Sequence, residues 1–123
     1  MKRRLALILT LMALIAAGFG EKIYAGIRNA FGFESISVTS TVQSLSTTYV
    51  NAAGGTVPDI SAYITMETGS CRWRADGTSP TDSLGHLLDS GESVSIAGYH
   101  NLKNFRAILS GSTTGTMMVT YEK

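Results

Sequence analysis

The stretch that decides the fold is ISAYITME, residues 60–67. Apolar side chains at Ile60, Ala62, Ile64 and Met66 alternate with side chains that are mostly polar. A period of two residues is typical of a β-strand with one buried face. The stretch therefore predicts a half-buried strand, and a similar alternation continues on both sides of it.

Further strands are predicted wherever the alternation returns between turn-forming residues. The candidates are residues 34–39, 42–50, 71–75, 92–97, 105–109 and 116–121, and a strand is also expected to start after His86. Only Thr68-Gly69-Ser70 separates residues 60–67 from 71–75, so these two strands are predicted to form a β-hairpin. No stretch after Phe33 has the period of an amphipathic helix. We therefore expect an all-β fold for residues 34–123, a small antiparallel β-sandwich or jelly roll.

The first 25 residues form a separate segment. Lys2, Arg3 and Arg4 precede an apolar run over residues 5–19, which predicts an N-terminal hydrophobic helix. A basic start and a short apolar core are typical of a signal peptide. The run is short for a membrane span, which needs about 20 residues.

Three fates of this leader, residues 1–25, stay open. Cleavage is expected after Ala25 or near Ala16-Ala17-Gly18, and an uncleaved membrane anchor through residues 5–19 is the second possibility. Burial of the leader inside an assembly is the third. Residues 26–33 are predicted to be a connector to the β-domain.

The charge is distributed unevenly along the chain, whose net charge is +1. The leader carries +3, from four basic residues and Glu21, and the rest carries −2, from six basic and eight acidic residues. A mildly acidic domain has no electrostatic footprint for nucleic acid. We expect no nucleic-acid partner.

Catalytic and metal-binding patterns are missing from the sequence. His86 and His100 are the only histidines and have no metal-ligand spacing, while Cys71 is the only cysteine. His86 is expected to bond a carbonyl or the turn around Asp76, and Cys71 to be a small buried apolar residue. The sequence predicts no enzyme, no cofactor and no metal. A metal-dependent hydrolase would need both histidines to converge with carboxylates.

Arginines flank an aromatic residue in a predicted strand. Arg72 and Arg74 point away from the side of Trp73, and Arg106 lies on a later strand. These arginines either pair with Glu67 or Glu92 across strands, or form a contact surface, where arginine is over-represented.

A longer pattern contains these residues: R-x-R-x-D-G-T-x-P-T at residues 72–81, G-H-x-L at 85–88, Gly91, and NFRAI at 104–108. It resembles small virion proteins of tailed bacteriophages, over roughly residues 34–123. The resemblance implies a non-enzymatic β-sandwich that decorates, cements or joins parts of a capsid or tail. The leader departs from that pattern.

The sequence thus gives one main hypothesis and one alternative. The first is a virion structural protein that associates with capsid or tail proteins and with itself. The loops 76–85 and 99–103 are the expected contacts, and the predicted interface residues are Arg72, Arg74, Asp76, Thr78, Pro80, His86, His100 and Arg106. The alternative is an exported or membrane-anchored module that recognises a cell-surface glycan or protein.

Overall fold

The computed structural model describes residues 28–52 and 59–123, which form an all-β fold with two short helices. The predicted fold class is confirmed for this part of the chain. The strands are β1 (Ala30–Val38), β2 (Ser61–Thr68), β3 (Cys71–Arg74), β4 (His86–Leu88), β5 (Ser93–Ala97), β6 (Arg106–Leu109) and β7 (Gly115–Glu122). The helices are α1 (Thr47–Ala52) and α2 (Tyr99–Lys103).

Two antiparallel sheets face each other. The large sheet has the strand order β1-β7-β2-β5, and the small sheet has the order β4-β3-β6. The free edge of β6 is partly covered, because Gln43 and Ala107 exchange backbone hydrogen bonds of 2.7 and 2.9 Å. An unpaired strand edge invites pairing with other chains, so this bridge protects one edge of the small sheet.

The core lies between the sheets and is almost entirely apolar. In the large sheet, Ala62, Ile64 and Met66 of β2 alternate with exposed or half-buried residues, as the sequence predicts. Cys71 is fully buried on the inner side of the small sheet, which confirms its prediction as a small buried apolar residue. Burial, and secondarily the charge of Asp89, raises the pKa of this thiol to about 11.

One carboxylate lies on the inner side of β1. Glu34 accepts a hydrogen bond from the backbone N–H of Ser46 at 2.9 Å and another from the hydroxyl of Tyr121. Tyr121 is fully buried. Burial is the main reason that its pKa is raised, and the hydrogen bond to Glu34 is the second. Tyr49 of α1 stacks on Tyr121 with ring centroids 5.0 Å apart. Glu34 thus ties β1, β7 and the chain before α1 together.

The close approach of α1 to β1 explains a glycine in the strand. A Cβ atom built on Gly32 would lie 2.5 Å from the ring of Tyr49. A larger residue here would push Tyr49 off Tyr121, so this position requires glycine for space.

Two predictions about the elements are wrong. Residues 42–50 are not a strand, because only Gln43 bridges to a strand and α1 begins at Thr47. Residues 60–67 and 71–75 do not form a hairpin, because β2 and β3 belong to different sheets. Gly69, with φ of +71°, turns the chain from one sheet to the other instead.

The helices and the domain boundary also differ from expectation. Residues 99–103 form α2 rather than an irregular loop, and β1 begins at Ala30, so part of the predicted connector 26–33 belongs to the sheet. The predicted N-terminal hydrophobic helix lies outside the described residues. Within the described ranges, no helix has the length and apolar character to cross a membrane.

Candidate interaction surface

The register of the small sheet brings three predicted interface residues together. Arg74 of β3 pairs directly with Arg106 of β6, and Arg72 lies two residues along β3 on the same side. Cys71 and Trp73 alternate with them and belong to the inner side. We call Arg72, Arg74 and Arg106 the basic face.

The arginines of the basic face are held by polar groups of the turns beside them. Arg72 donates from Nη1 to the carbonyl of Gly85 at 3.1 Å, and Arg106 donates from Nη1 to the carbonyl of Lys103 at 3.0 Å. Arg74 donates from Nε to Asp76 at 3.1 Å and forms an ion pair with it. The predicted pairing with Glu67 or Glu92 is therefore wrong, because closer acceptors lie at the strand ends.

Asp76 both pairs with Arg74 and begins the next turn. Its Oδ1 accepts the backbone N–H of Thr78 at 3.1 Å, and Gly77 has a φ of +83°. The hydrogen bond from Arg74 is the main reason that the pKa of Asp76 lies below its usual value. An aspartate that caps its own turn, followed by glycine, is a common way to reverse the chain. This geometry explains the Asp-Gly-Thr part of the motif.

The second half of the turn 76–85 is held by close packing and by a hydrogen bond between its own residues. Pro80 is buried, and a Cβ atom built on Gly85 would lie 3.1 Å from both Pro80 and the carbonyl of Trp73. Thr81 accepts the backbone N–H of Leu84 at 2.9 Å through its hydroxyl. The Pro-Thr and Gly-His parts of the motif therefore shape the turn. Pro80 is too buried for a contact residue, so that prediction is wrong.

The two predicted contact loops meet at the end of α2. The backbone N–H of Gly77 donates to the carbonyl of Asn104 at 3.1 Å, which joins the turn 76–85 to the residue that follows α2. His100 is exposed on α2 and contacts Tyr99 edge to face, with ring centroids 5.5 Å apart. Both loops thus lie on one side of the domain.

An open groove of about 760 Å³ runs between β3–β4 and β5. His86 lines it and lies against Trp73 with ring centroids 4.7 Å apart, and Trp73 in turn stacks on Phe105 at 5.8 Å. His86 thus packs on an aromatic ring, whereas the sequence predicted a bond to a carbonyl or to the turn. His100 is not part of the groove lining.

Comparison with known proteins gives two distant structural likenesses. A solved cupin domain of an XRE-family transcriptional regulator from Enterobacter cloacae has a TM-score of 0.48 and 11% identity, covering 77% of this chain and 93% of that chain. A chain of the disulfide-linked pili of Bacillus endospore appendages has a TM-score of 0.42 and 13% identity, covering 78% and 85%. Neither score reaches 0.5, so neither likeness carries an argument. No family model and no curated protein matches the sequence.

Of the predicted interface residues, Asp76, Thr78, His86 and His100 are exposed, and the three arginines are half-buried. Within residues 28–52 and 59–123, no three His, Cys, Asp or Glu side chains come close enough to hold a metal ion.

The sequence reasoning missed one surface, the outer side of the large sheet. Its signal was present, because the alternation that places Ile64 inside also places Tyr63 outside. We call the following eight residues the large-sheet outer face. In register, they form two rows across the four strands: Phe33, Thr120, Tyr63 and Ser95, then Ser35, Met118, Thr65 and Ser93.

Proposed function

We propose that this chain is a non-enzymatic phage virion protein, a capsid decoration, cement or minor head or tail component. It acts through protein–protein association, and its basic face contacts an acidic surface of a capsid or tail protein. The observation that carries the proposal is the gathering of Arg72, Arg74 and Arg106 on one side of the small sheet. The resemblance of the motif at residues 72–108 to small virion proteins supports the same reading.

The way in which the arginines are held favours binding. Carbonyls of Gly85, Lys103 and Phe105 already orient two of the guanidinium groups. Side chains that are ordered before association lose less conformational entropy when they bind. Guanidinium groups with free N–H donors suit carboxylates of a partner. An acidic patch is therefore the partner chemistry that this face fits.

The test is co-sedimentation of the purified full chain with empty capsids of the phage that encodes it. The double variant Arg74→Ser with Arg106→Ser is expected to bind about tenfold more weakly, because arginines are frequent binding hot spots. Raised salt is also expected to weaken the binding of the wild-type protein to capsids, since exposed charges are screened.

The matched control removes the same charge elsewhere. Arg28→Ser with Lys123→Ser changes two exposed cations outside the basic face and is expected to bind like the wild-type chain. Thermal unfolding of each variant separates a binding defect from a folding defect. A wild-type chain that stays in the supernatant with capsids present would contradict the proposal.

The open groove favours a second candidate function. An exported or membrane-anchored module could seat a glycan or peptide beside Trp73 and His86, since aromatic rings commonly line ligand sites. Mass spectrometry of the mature N-terminus separates the two functions. A chain that begins near Gly26 favours export.

A further inference from the structure

We infer that the large-sheet outer face is a self-association surface, on which a second copy of this chain packs face to face. This inference rests on the proposed function, since it names one partner of an assembling protein. It concerns the side of the sandwich opposite the basic face. The large-sheet outer face would then bind a second copy of the chain, and the basic face would bind other virion proteins.

Charge is the first argument for a second copy. None of the eight residues of the face carries a charge, and Glu122 lies at one end of the sheet. Glu67 borders the second row, because its carboxylate accepts a hydrogen bond from the hydroxyl of Thr65 at 3.0 Å. In a two-fold contact the same patch meets itself, so any central charge meets a like charge. The basic face is unsuited to self-pairing for that reason, because arginines would face arginines. A contact centred on the first row, which contains Phe33 and Tyr63, is free of this repulsion.

Exposed apolar surface is the second argument. Phe33 is 58% exposed and Tyr63 is 45% exposed, and both lie in the same row across the sheet. Thr120 of β7 separates them and Met118 lies in the adjacent row. Large aromatic residues and methionine are enriched where proteins associate, and charged residues are depleted there.

The size of the whole outer side of the large sheet is the third argument. Four strands about 4.8 Å apart and about seven residues long, at about 3.3 Å per residue, cover roughly 450 Å² of flat area. Two copies packed over this whole side would bury about 900 Å² in total before the relief of the side chains is counted, close to the lower limit of about 1,000 Å² for a specific interface. The eight residues of the large-sheet outer face form the centre of this contact, Glu67 and Glu122 lie at its rim, and hydroxyl groups of Ser35 and Ser93 can hydrogen-bond across it.

The experiment compares matched charge substitutions by sedimentation velocity of the full chain in a mild detergent. Phe33→Glu places a charge on the face, and Leu87→Glu places the same charge on another exposed apolar residue, 44% against 58% exposed, on the outer side of the small sheet. Phe33→Glu is expected to weaken self-association at least about tenfold, because the charge enters both sides of the contact. Leu87→Glu is expected to leave it unchanged.

Cross-linking provides a second measurement that does not depend on a destabilising charge. In two separate variants, one cysteine is introduced in place of Tyr63 or of Leu87, which are 45% and 44% exposed on the outer sides of opposite sheets. A short bismaleimide is expected to join Tyr63→Cys chains into dimers and to leave Leu87→Cys chains single. The wild-type chain supplies the background, since Cys71 is buried.

The outcomes separate this inference from the proposed function. Equal association of Phe33→Glu and the wild-type chain, or no more cross-linked dimer from Tyr63→Cys than from Leu87→Cys, overturns the inference. A wild-type chain that binds capsids but stays monomeric also overturns it and leaves the proposed function standing. A monomeric chain that ignores capsids removes both.

Discussion

Cys71 is the residue whose chemistry depends most clearly on its surroundings. Its side chain is fully buried in β3, and burial raises its pKa from 9.0 to about 11. At neutral pH the thiol is protonated and apolar in character, which suits a position in the core rather than a reactive site.

The raised pKa of Cys71 predicts a loss of stability in alkali. The folded thiol keeps its proton up to about pH 11, whereas the unfolded thiol loses it near pH 9.0. The folded state therefore binds more protons between these values, and the free energy of unfolding falls as the pH rises through this window. The contribution is fully present below pH 9 and amounts to roughly 2 kcal/mol.

Urea unfolding at several pH values, for the wild-type chain and Cys71→Ala, measures this contribution. The wild-type chain should lose roughly 2 kcal/mol more than the variant between the two ends of the window. Tyr121 titrates in both proteins, so its effect cancels. Parallel curves for the two proteins would show that the thiol does not carry the effect.

At the scale of the element, the sequence alone locates most strands but not their partners. Alternation identifies β2, β5 and β7 because each has one side in the core. The same alternation contains no information on which strand lies beside which. The hairpin prediction for β2 and β3 therefore failed, although the lengths of both strands were nearly right.

The strand predicted over residues 42–50 was wrong for a different reason. Residues 42–50 are rich in threonine and valine, which favour strands locally. Tertiary contacts override that preference, because Tyr49 stacks on Tyr121 and Glu34 binds Ser46. The candidate site shows the same limit. The sequence singled out the three arginines, but only the register of β3 and β6 shows that they share a face.

The contact of Glu34 with its neighbours predicts a stability defect. Glu34→Ala removes the acceptor for the N–H of Ser46 and for the buried hydroxyl of Tyr121. A buried polar group without a partner costs about 1–3 kcal/mol, so the free energy of unfolding should fall by that amount. Denaturant unfolding measures it.

Two further variants calibrate this measurement. Glu34→Gln keeps one acceptor oxygen and should lose less stability than Glu34→Ala. Glu67→Ala removes an exposed carboxylate and should change the free energy of unfolding by less than about 0.5 kcal/mol. If Glu34→Ala is as stable as Glu67→Ala, the carboxylate does not hold β1, β7 and α1 together.

At the scale of the whole molecule, the sandwich has two outer sides of different character. The small sheet presents arginines held by the turns beside them, and the large sheet presents rows of hydroxyl, aromatic and apolar side chains. Under the proposed function, such a domain binds different partners on its two sides at once. Export and incorporation into a particle, two of the fates expected for residues 1–25, would place the same two surfaces in different compartments.

The proposed role in the virion is tested most directly by quantitative mass spectrometry of gradient-purified virions. Peptides from residues 30–123 are expected in the particles, in a fixed ratio to the major capsid protein. The most N-terminal peptide found would also show whether the leader is retained. Particles that lack every peptide of this chain would show that it is not a virion component.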